Sequence, residues 1–255
     1  MNFLMKIWNS SLGKKYIMGI SGFLLVFFIV AHMMGNFQIF LGPYWINTYG
    51  QFLHDRHEVL WPARIVLLTM IVLHIWSAFK LRVENRAARP VGYADNPVPL
   101  AASYASRTIM MSGIIIAAFL IFHLLHYALA VRAVNLTGVD FGALRDSEGR
   151  PDLYLMMLLG FSQWPVSVFY IIAVGLLSLH LSHGMRAMFQ SVGWKWTFGG
   201  VSKLPDRIAR WTALVIFILY ASIPTAVMCG YGKAYKEKAL QQLTAVAAAG
   251  TEVAR

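Results

Sequence analysis

Only one cysteine, Cys229, occurs among the 255 residues of the sequence. A single thiol excludes an internal disulfide, and it excludes a thiolate zinc site or an iron–sulfur cluster made by this chain alone. The motif C-x-x-C-H is also missing, which excludes covalently attached haem. Any metal held by this chain therefore depends on other side chains.

Charged residues are scarce as well, at 13% of the chain against 58% hydrophobic residues. Few soluble folds could bury so much apolar side chain, so the composition predicts a polytopic membrane protein. The net charge of +11 does not indicate a nucleic-acid partner, because the basic residues lie just outside the apolar runs. We expect the opening MNFLMKIWNSSLGKKY to be an amphipathic lead and not a signal peptide, since no small-residue cleavage site follows it.

Five apolar segments are long enough to cross about 30 Å of hydrocarbon. They run near residues 17–41, 61–82, 107–131, 164–189 and 208–230. The sequence therefore predicts an all-α fold, a single transmembrane domain over 1–255 built as a bundle of five helices. We expect a polar loop at 42–60, a loop rich in Gly and Asp at 132–163, and a weakly amphipathic, frayed tail.

The distribution of Lys and Arg predicts the orientation in the membrane. The N-terminal segment and the second and fourth connections carry most of these residues, whereas the first and third connections are rich in acidic ones. The positive-inside rule therefore puts the N-terminus in the cytoplasm. Lys233, Lys236 and Lys238 in the tail oppose this orientation mildly, but the other connections agree with one another.

Four predicted helices each carry a histidine, and these histidines lie at two depths. His32 and His123 follow about 15 and 16 residues of helices that begin inside, so both lie toward the outer leaflet. His74 and His180 follow about 13 and 16 residues of helices that begin outside, so both lie toward the inner leaflet. The sequence thus predicts two histidine pairs, each drawn from non-consecutive helices.

An internal repeat supports this pairing. Ser21–Gly22 precedes His32 by the same step that separates Ser112–Gly113 from His123. That step is three helical turns, about 16 Å, so the small residues are predicted beside the inner pair, where they would admit a flat macrocycle. Trp61-Pro62 and Trp164-Pro165 are predicted to open the second and fourth helices.

Two imidazoles that face each other across a bundle core supply the axial ligands of an iron porphyrin. We therefore expect the first four helices to enclose two stacked haems b. His126 and His183 are rival ligands one turn further on, but neither has a histidine counterpart in the other repeat copy. We prefer His123 and His180, and we expect His126 and His183 to bond to propionates, backbone or water.

Several cations are candidate partners of haem propionates. Arg64 lies inside an apolar segment, where an arginine costs roughly 2.5 kcal/mol or more at mid-helix. It precedes His74 by about three turns, which puts it level with the outer haem; snorkelling to the interface is the alternative. Arg107 and Arg186, with Lys15, are predicted at the inner rim, as propionate partners or as topology markers.

The stretch FLHDRHE is the densest titratable cluster in the chain, and it contains His54, Asp55, Arg56 and Glu58. Quinone chemistry requires a proton donor or acceptor beside each carbonyl oxygen, and this cluster is predicted near the outer haem. It is therefore a candidate quinone site, with a solvated loop as the alternative.

Four strings carry a family resemblance: SGFLLVFFIVAHMMGNF, VLHIWSAF, SGIIIAAFLIFH and LHLSHG. They resemble the dihaem cytochrome b subunit of succinate:quinone oxidoreductase, which is succinate dehydrogenase or fumarate reductase. The resemblance implies a bacterial cytoplasmic membrane protein that anchors a flavoprotein subunit and an iron–sulfur subunit, and it leaves a higher oligomer of the complex open.

The resemblance also implies the sites. Haem ligands would be His32 with His123 and His74 with His180, and a menaquinone site would lie near His54. Some dihaem fumarate reductases carry a glutamate two residues before the fourth ligand, in a transmembrane proton path. Ser178 stands there in this chain, which argues against such a path.

Two other functions fit parts of the pattern. One is the cytochrome b subunit of another quinone-linked oxidoreductase, such as a hydrogenase or formate dehydrogenase, although the order of one ligand per helix disfavours it. The other is a haem-free transporter or proton channel that uses buried histidines.

Overall fold

A computed structural model describes Met5 and residues 8–88, 108–194, 196–197 and 200–253, with backbone only for 196–201 and 246–253. Arg107 and Lys195 lie outside the described residues. Among the described residues the regular elements are helices, apart from a pair of two-residue antiparallel strands, β1 (Trp196–Thr197) and β2 (Gly200–Val201). The predicted all-α class is confirmed.

Eight α-helices are described. They are α1 (Ser11–Phe37), α2 (Pro43–Asp55), α3 (His57–Ala87), α4 (Ile109–His123), α5 (Leu153–Ser162), α6 (Trp164–Ser191), α7 (Leu204–Met228) and α8 (Lys233–Val253). A 3-10 turn, Gln38–Leu41, continues α1, and a π-helical turn, Leu124–Ala128, continues α4.

Together with the 3-10 and π-helical turns that continue α1 and α4, five helices are long and apolar enough to span a membrane, as predicted: α1, α3, α4, α6 and α7. Their exposed surfaces carry many large apolar side chains, as helices surrounded by lipid require. The prediction that Trp61-Pro62 opens the second span is wrong, because α3 begins at His57 and encloses Pro62. Trp164 does open α6.

The predicted loops at 42–60 and 132–163 are wrong, since they contain helices α2 and α5. Helix α2 is amphipathic, and it turns Ile46 and Asn47 into the protein. Helix α5 is capped by Asp152, whose carboxylate accepts a hydrogen bond from the Leu155 amide at 2.9 Å. Both helices are too short to cross a bilayer, so a search for long apolar runs does not find them.

The chain divides into two compact units. The first comprises Met1–His32, Arg56–Gly113 and Leu177–Ile216. The second comprises Met33–Asp55, Ile114–Leu176 and Phe217–Arg255.

In the first unit, α1 and α3 are joined by an ion pair at their polar ends. The Lys14 ammonium lies 2.7 Å from a Glu84 carboxylate oxygen and is almost completely buried. A buried ammonium needs such a partner, because desolvating an unpaired charge is very costly. Met185, Phe189 and Ala209 form a small apolar core between α6 and α7 in the same unit.

In the second unit, a buried polar network joins α2, α5 and α8. The Asn47 amide donates to Asp152 at 3.1 Å and accepts from the Tyr154 backbone amide at 3.0 Å. Tyr235 donates its hydroxyl to the other Asp152 oxygen at 2.9 Å. The network sits beside an apolar core that includes Ile39 and Leu158.

Asp146 extends this network into the connection before α5. Burial by itself would raise the pKa of this carboxyl. Hydrogen bonds from Arg150, Asn47 and two backbone amides outweigh the burial, so the pKa of Asp146 is lowered from its ordinary value. The carboxylate thereby holds a tight turn, closed by an antiparallel bridge between Arg145 and Pro151.

Candidate functional site

The first unit brings together the two histidines that were predicted toward the inner leaflet. His74 on α3 and His180 on α6 have ring centroids 6.2 Å apart, with their planes inclined at 64°. Two imidazoles on opposite sides of one metal ion, with metal–nitrogen bonds of about 2 Å, have ring centroids about 6 Å apart. The spacing of this pair therefore fits a shared metal.

Helix α1 orients the His74 ring. Its Nδ1 atom lies 3.2 Å from the Met18 carbonyl oxygen and 3.4 Å from the Ser21 hydroxyl. A carbonyl oxygen can only accept, so the proton is on Nδ1 and the lone pair is on Nε2. A donor bond from the far nitrogen to a backbone carbonyl is the usual support of a metal-bound histidine, because it fixes the tautomer and the ring orientation.

The two Ser-Gly pairs lie beside the same histidines. A Cβ atom at Gly22 would be 3.2 Å from Cε1 of His74, and one at Gly113 would be 3.6 Å from Cε1 of His180. Ser21 and Ser112 are buried and turn their hydroxyls back onto their own helices, donating to Ile17 and Ile109. The small residues thus lie beside the inner pair, where the repeat predicts them, and their role in admitting a macrocycle stays a prediction.

His180 has an unsatisfied nitrogen within the described part of the chain. Its Nδ1 atom is buried and has no hydrogen-bond partner there. Buried polar atoms are nearly always paired, but Nε2 of His126 and the Tyr127 hydroxyl also lack a partner among the described residues, so the unpaired atom does not by itself mark His180 as a ligand. No group of three His, Cys, Asp or Glu among the described residues could hold a bare metal ion. A porphyrin needs only two protein ligands, because its own nitrogens supply the other four.

The two histidines predicted toward the outer leaflet belong to different units. His32, in the first unit, stacks on Phe28 with ring centroids 5.3 Å apart. His123, in the second, has its Nδ1 atom 3.3 Å from the Tyr170 hydroxyl. Their pairing stays a prediction.

The surroundings of His126 favour His123 as the ligand on α4. His126 is fully buried, with Phe122, Tyr127 and Phe141 packed around its ring, so protein atoms fill the space a macrocycle would need. His123 is only half-buried. His183 is also half-buried, one turn beyond His180, and nothing in its geometry excludes it as a rival ligand.

The predicted propionate partners have other contacts. The Arg64 guanidinium is exposed and lies 5.2 Å from the centre of the Trp61 ring, in a cation–π contact on its own helix. Arg186 pairs with Asp206 at 3.3 Å. Arg107 lies outside the described residues, so its role stays a prediction.

Sequence reasoning considered Lys15 and missed Lys14. Lys15 is exposed, whereas Lys14 is buried against Glu84. A usable signal was present, because Lys14 precedes Ser21 by two helical turns and so lies on its face.

The candidate quinone residues lie on exposed surface. His54 and Asp55 end helix α2, and Asp55 accepts a hydrogen bond from Gln51 at 2.6 Å. Arg56 lies 3.7 Å from Glu58, and both side chains are more than half exposed. The cluster lies at the end of α2 and the start of α3, with Arg56 between the two helices, and a role in quinone binding stays a prediction.

Ser178, where some relatives of the resembled family carry glutamate, has a structural partner. Its hydroxyl donates to the Ala213 carbonyl at 2.6 Å and so links α6 to α7.

Comparison of the chain with protein-family models, curated proteins and solved structures finds no match. The functional assignment therefore depends on the histidine geometry and on the resemblance in sequence.

Proposed function

We propose that this chain is the membrane-anchor cytochrome b subunit of a succinate:quinone oxidoreductase. In this role it passes electrons through two haems b between an iron–sulfur subunit and menaquinone. The observation that supports the proposal most is the His74–His180 pair, with centroids 6.2 Å apart and the His74 Nδ1 atom bonded to a backbone carbonyl. The protein is then an electron carrier, and the flavoprotein subunit binds the dicarboxylate.

The chain's own residues would hold and insulate the haems. His74 and His180 would ligate the inner haem and His32 and His123 the outer one, each iron cycling between ferric and ferrous when bound. Gly22 and Gly113 keep side chains away from the inner imidazoles. The apolar helices exclude water, and a low-dielectric setting strengthens the effect of each nearby charge and hydrogen bond on the haem potential.

The orientation follows from charge. With the N-terminus in the cytoplasm, the His74–His180 pair lies toward the side on which an iron–sulfur subunit and a flavoprotein subunit would dock. The resemblance implies a bacterial cytoplasmic membrane for this assembly.

Quinone would react at the opposite side, beside the end of α2. Reducing a quinone takes two electrons and two protons, and lipid supplies no proton. The imidazole of His54 can both donate and accept a proton, with Asp55 and Glu58 as relays to water. Arg56 would stabilise negative charge on a partly reduced quinone.

The decisive experiment is a reduced-minus-oxidised absorption spectrum of the purified chain or complex, with haem counted as the pyridine haemochrome. We expect two haems b per chain, together with a co-purified flavoprotein and an iron–sulfur protein. A sample without a b-type spectrum would overturn the proposal and favour a haem-free transporter. Two haems with a hydrogenase or formate dehydrogenase partner would reassign the complex.

A further inference from the structure

One hydroxyl in the second unit lies between two imidazoles. Tyr170 of α6 is buried, and its oxygen is 3.3 Å from Nδ1 of His123 and 3.1 Å from Nδ1 of His126. A tyrosine hydroxyl has one proton, so it can donate to only one of these nitrogens and accept from the other.

Ligation fixes the direction of this chain of hydrogen bonds. If His123 binds iron, as the proposed function requires, it does so through Nε2 and carries its proton on Nδ1. That N–H donates to the Tyr170 oxygen. The Tyr170 O–H then donates to Nδ1 of His126, and the proton of His126 lies on Nε2.

We infer that Tyr170 and His126 are positioning residues for the outer haem ligand. This inference rests on the proposed function. The hydroxyl fixes the tautomer and the ring orientation of His123 and, by accepting its N–H, makes the imidazole a stronger electron donor. His126 acts through Tyr170, because it holds the hydroxyl proton away from His123.

The local structure supports this role. His123 ends α4, and His126 lies within the π-helical turn Leu124–Ala128, a distortion that occurs often at functional sites. A Cβ atom at Gly160 would come within 3.1 Å of Cε1 of His126 and would clash with the Tyr127 hydroxyl. Only glycine at this position lets the α5 backbone pack against the His126 ring and hold it.

Replacing Tyr170 with Phe removes one oxygen and leaves the ring. His123 then loses its acceptor and donates less electron density, so the ferric form of the outer haem is stabilised less. We expect the midpoint potential of the outer haem to rise. The rise should correspond to a several-fold shift of the ferric–ferrous equilibrium toward the ferrous form, where a tenfold shift equals 59 mV for a one-electron couple. The inner haem keeps its potential.

Tyr127→Phe is the matched control. Its hydroxyl is buried in the same cluster, next to His126, but has no hydrogen-bond partner among the described residues. Removing it should leave both potentials unchanged.

A second pair of variants tests His126 itself. In His126→Asn the amide oxygen can replace Nδ1 as the acceptor of the Tyr170 proton, so the outer potential should stay near the wild-type value. In His126→Leu no acceptor remains, and the outer potential should move away from the wild-type value.

The test is a potentiometric titration of the intact complex, followed by optical and electron paramagnetic resonance spectra, with the outer haem assigned in His180→Ala. A shift in Tyr170→Phe and His126→Leu, but not in Tyr127→Phe or His126→Asn, supports the inference. Unchanged potentials in both former variants overturn it while the proposed function stands. If Tyr170→Phe fails to retain the outer haem, the outer-haem potentials of His126→Leu and His126→Asn are compared instead, and they test the inference without it. If the wild-type protein contains no haem, the proposed function itself is overturned, and the inference that rests on it falls with it.

Discussion

At the scale of single residues, a histidine inside an apolar helix needs a partner for each ring nitrogen. For His74 the structure supplies one, the Met18 carbonyl, and leaves Nε2 with its lone pair. For His126 it supplies Tyr170 at Nδ1. In both histidines Nδ1 is held and Nε2 has no protein partner among the described residues, so what separates His126 is the close aromatic packing around its fully buried ring. These surroundings lead to two predictions.

We predict that His74→Ala and His180→Ala each remove the same haem, the inner one, and leave the outer haem bound. The two rings lie in the first unit with their centroids 6.2 Å apart, so on the proposed assignment losing either ligand opens the same site. Haem content and the b-type difference spectrum of each purified variant check this. If His74→Ala removed the haem that His32→Ala removes, the assignment by depth would be wrong.

We predict that His126→Ala and His183→Ala retain two haems. His126 lacks room for a macrocycle, and His183 lies one turn from the His74–His180 pair. Haem stoichiometry in assembled complexes is the measurement, with His180→Ala as the positive control for loss. A missing haem in either variant, with normal assembly, reassigns that ligand.

At the scale of elements, α2 is one of two short helices, with α5, that the search for apolar runs did not find. This helix has polar residues on one side and turns Ile46 and Asn47 inward. The helical spacing of its buried residues can therefore be recognised only when the buried face is known. Gly50 allows a close approach, since a Cβ there would clash with Leu153 of α5. The helix presents His54 in its last turn.

We predict that His54→Leu abolishes quinone-linked turnover and leaves both haem spectra and succinate–dye activity intact. The substitution removes a proton donor and acceptor from the exposed end of α2. His57→Leu, at the start of α3, is the matched control and should retain turnover. Retained quinone turnover in His54→Leu would move the site elsewhere, with the inner rim near Arg107 and Ser21 as the next candidate.

At the scale of the whole molecule, the second unit depends on the polar network around Asn47. The side chain is fully buried and makes hydrogen bonds to Asp146, Asp152 and the Tyr154 amide. Because lipid and apolar core offer no replacement partners, this network sets how α2, α5 and α8 are joined.

We predict that Asn47→Ala lowers the stability of the folded protein by about 1–3 kcal/mol, since it leaves buried polar groups unpaired. Thermal unfolding of the purified protein in detergent measures the effect. Gln51→Ala on the same helix removes only an exposed hydrogen bond to Asp55 and should change stability by less than about 0.5 kcal/mol. Equal effects of the two substitutions would contradict the network's role.

The sequence by itself determined the five spans and the helical class, because a run of about 20 apolar residues has few alternatives to a membrane helix. It also determined which face of α1 carries Ser21 and Gly22, since helical period is a local property. The tertiary structure alone decided that Lys14 and not Lys15 is buried, that α2 and α5 are helices, and that Tyr170 lies between His123 and His126. Each of these outcomes depends on contacts between residues distant in the chain, and no local pattern of hydropathy encodes such contacts.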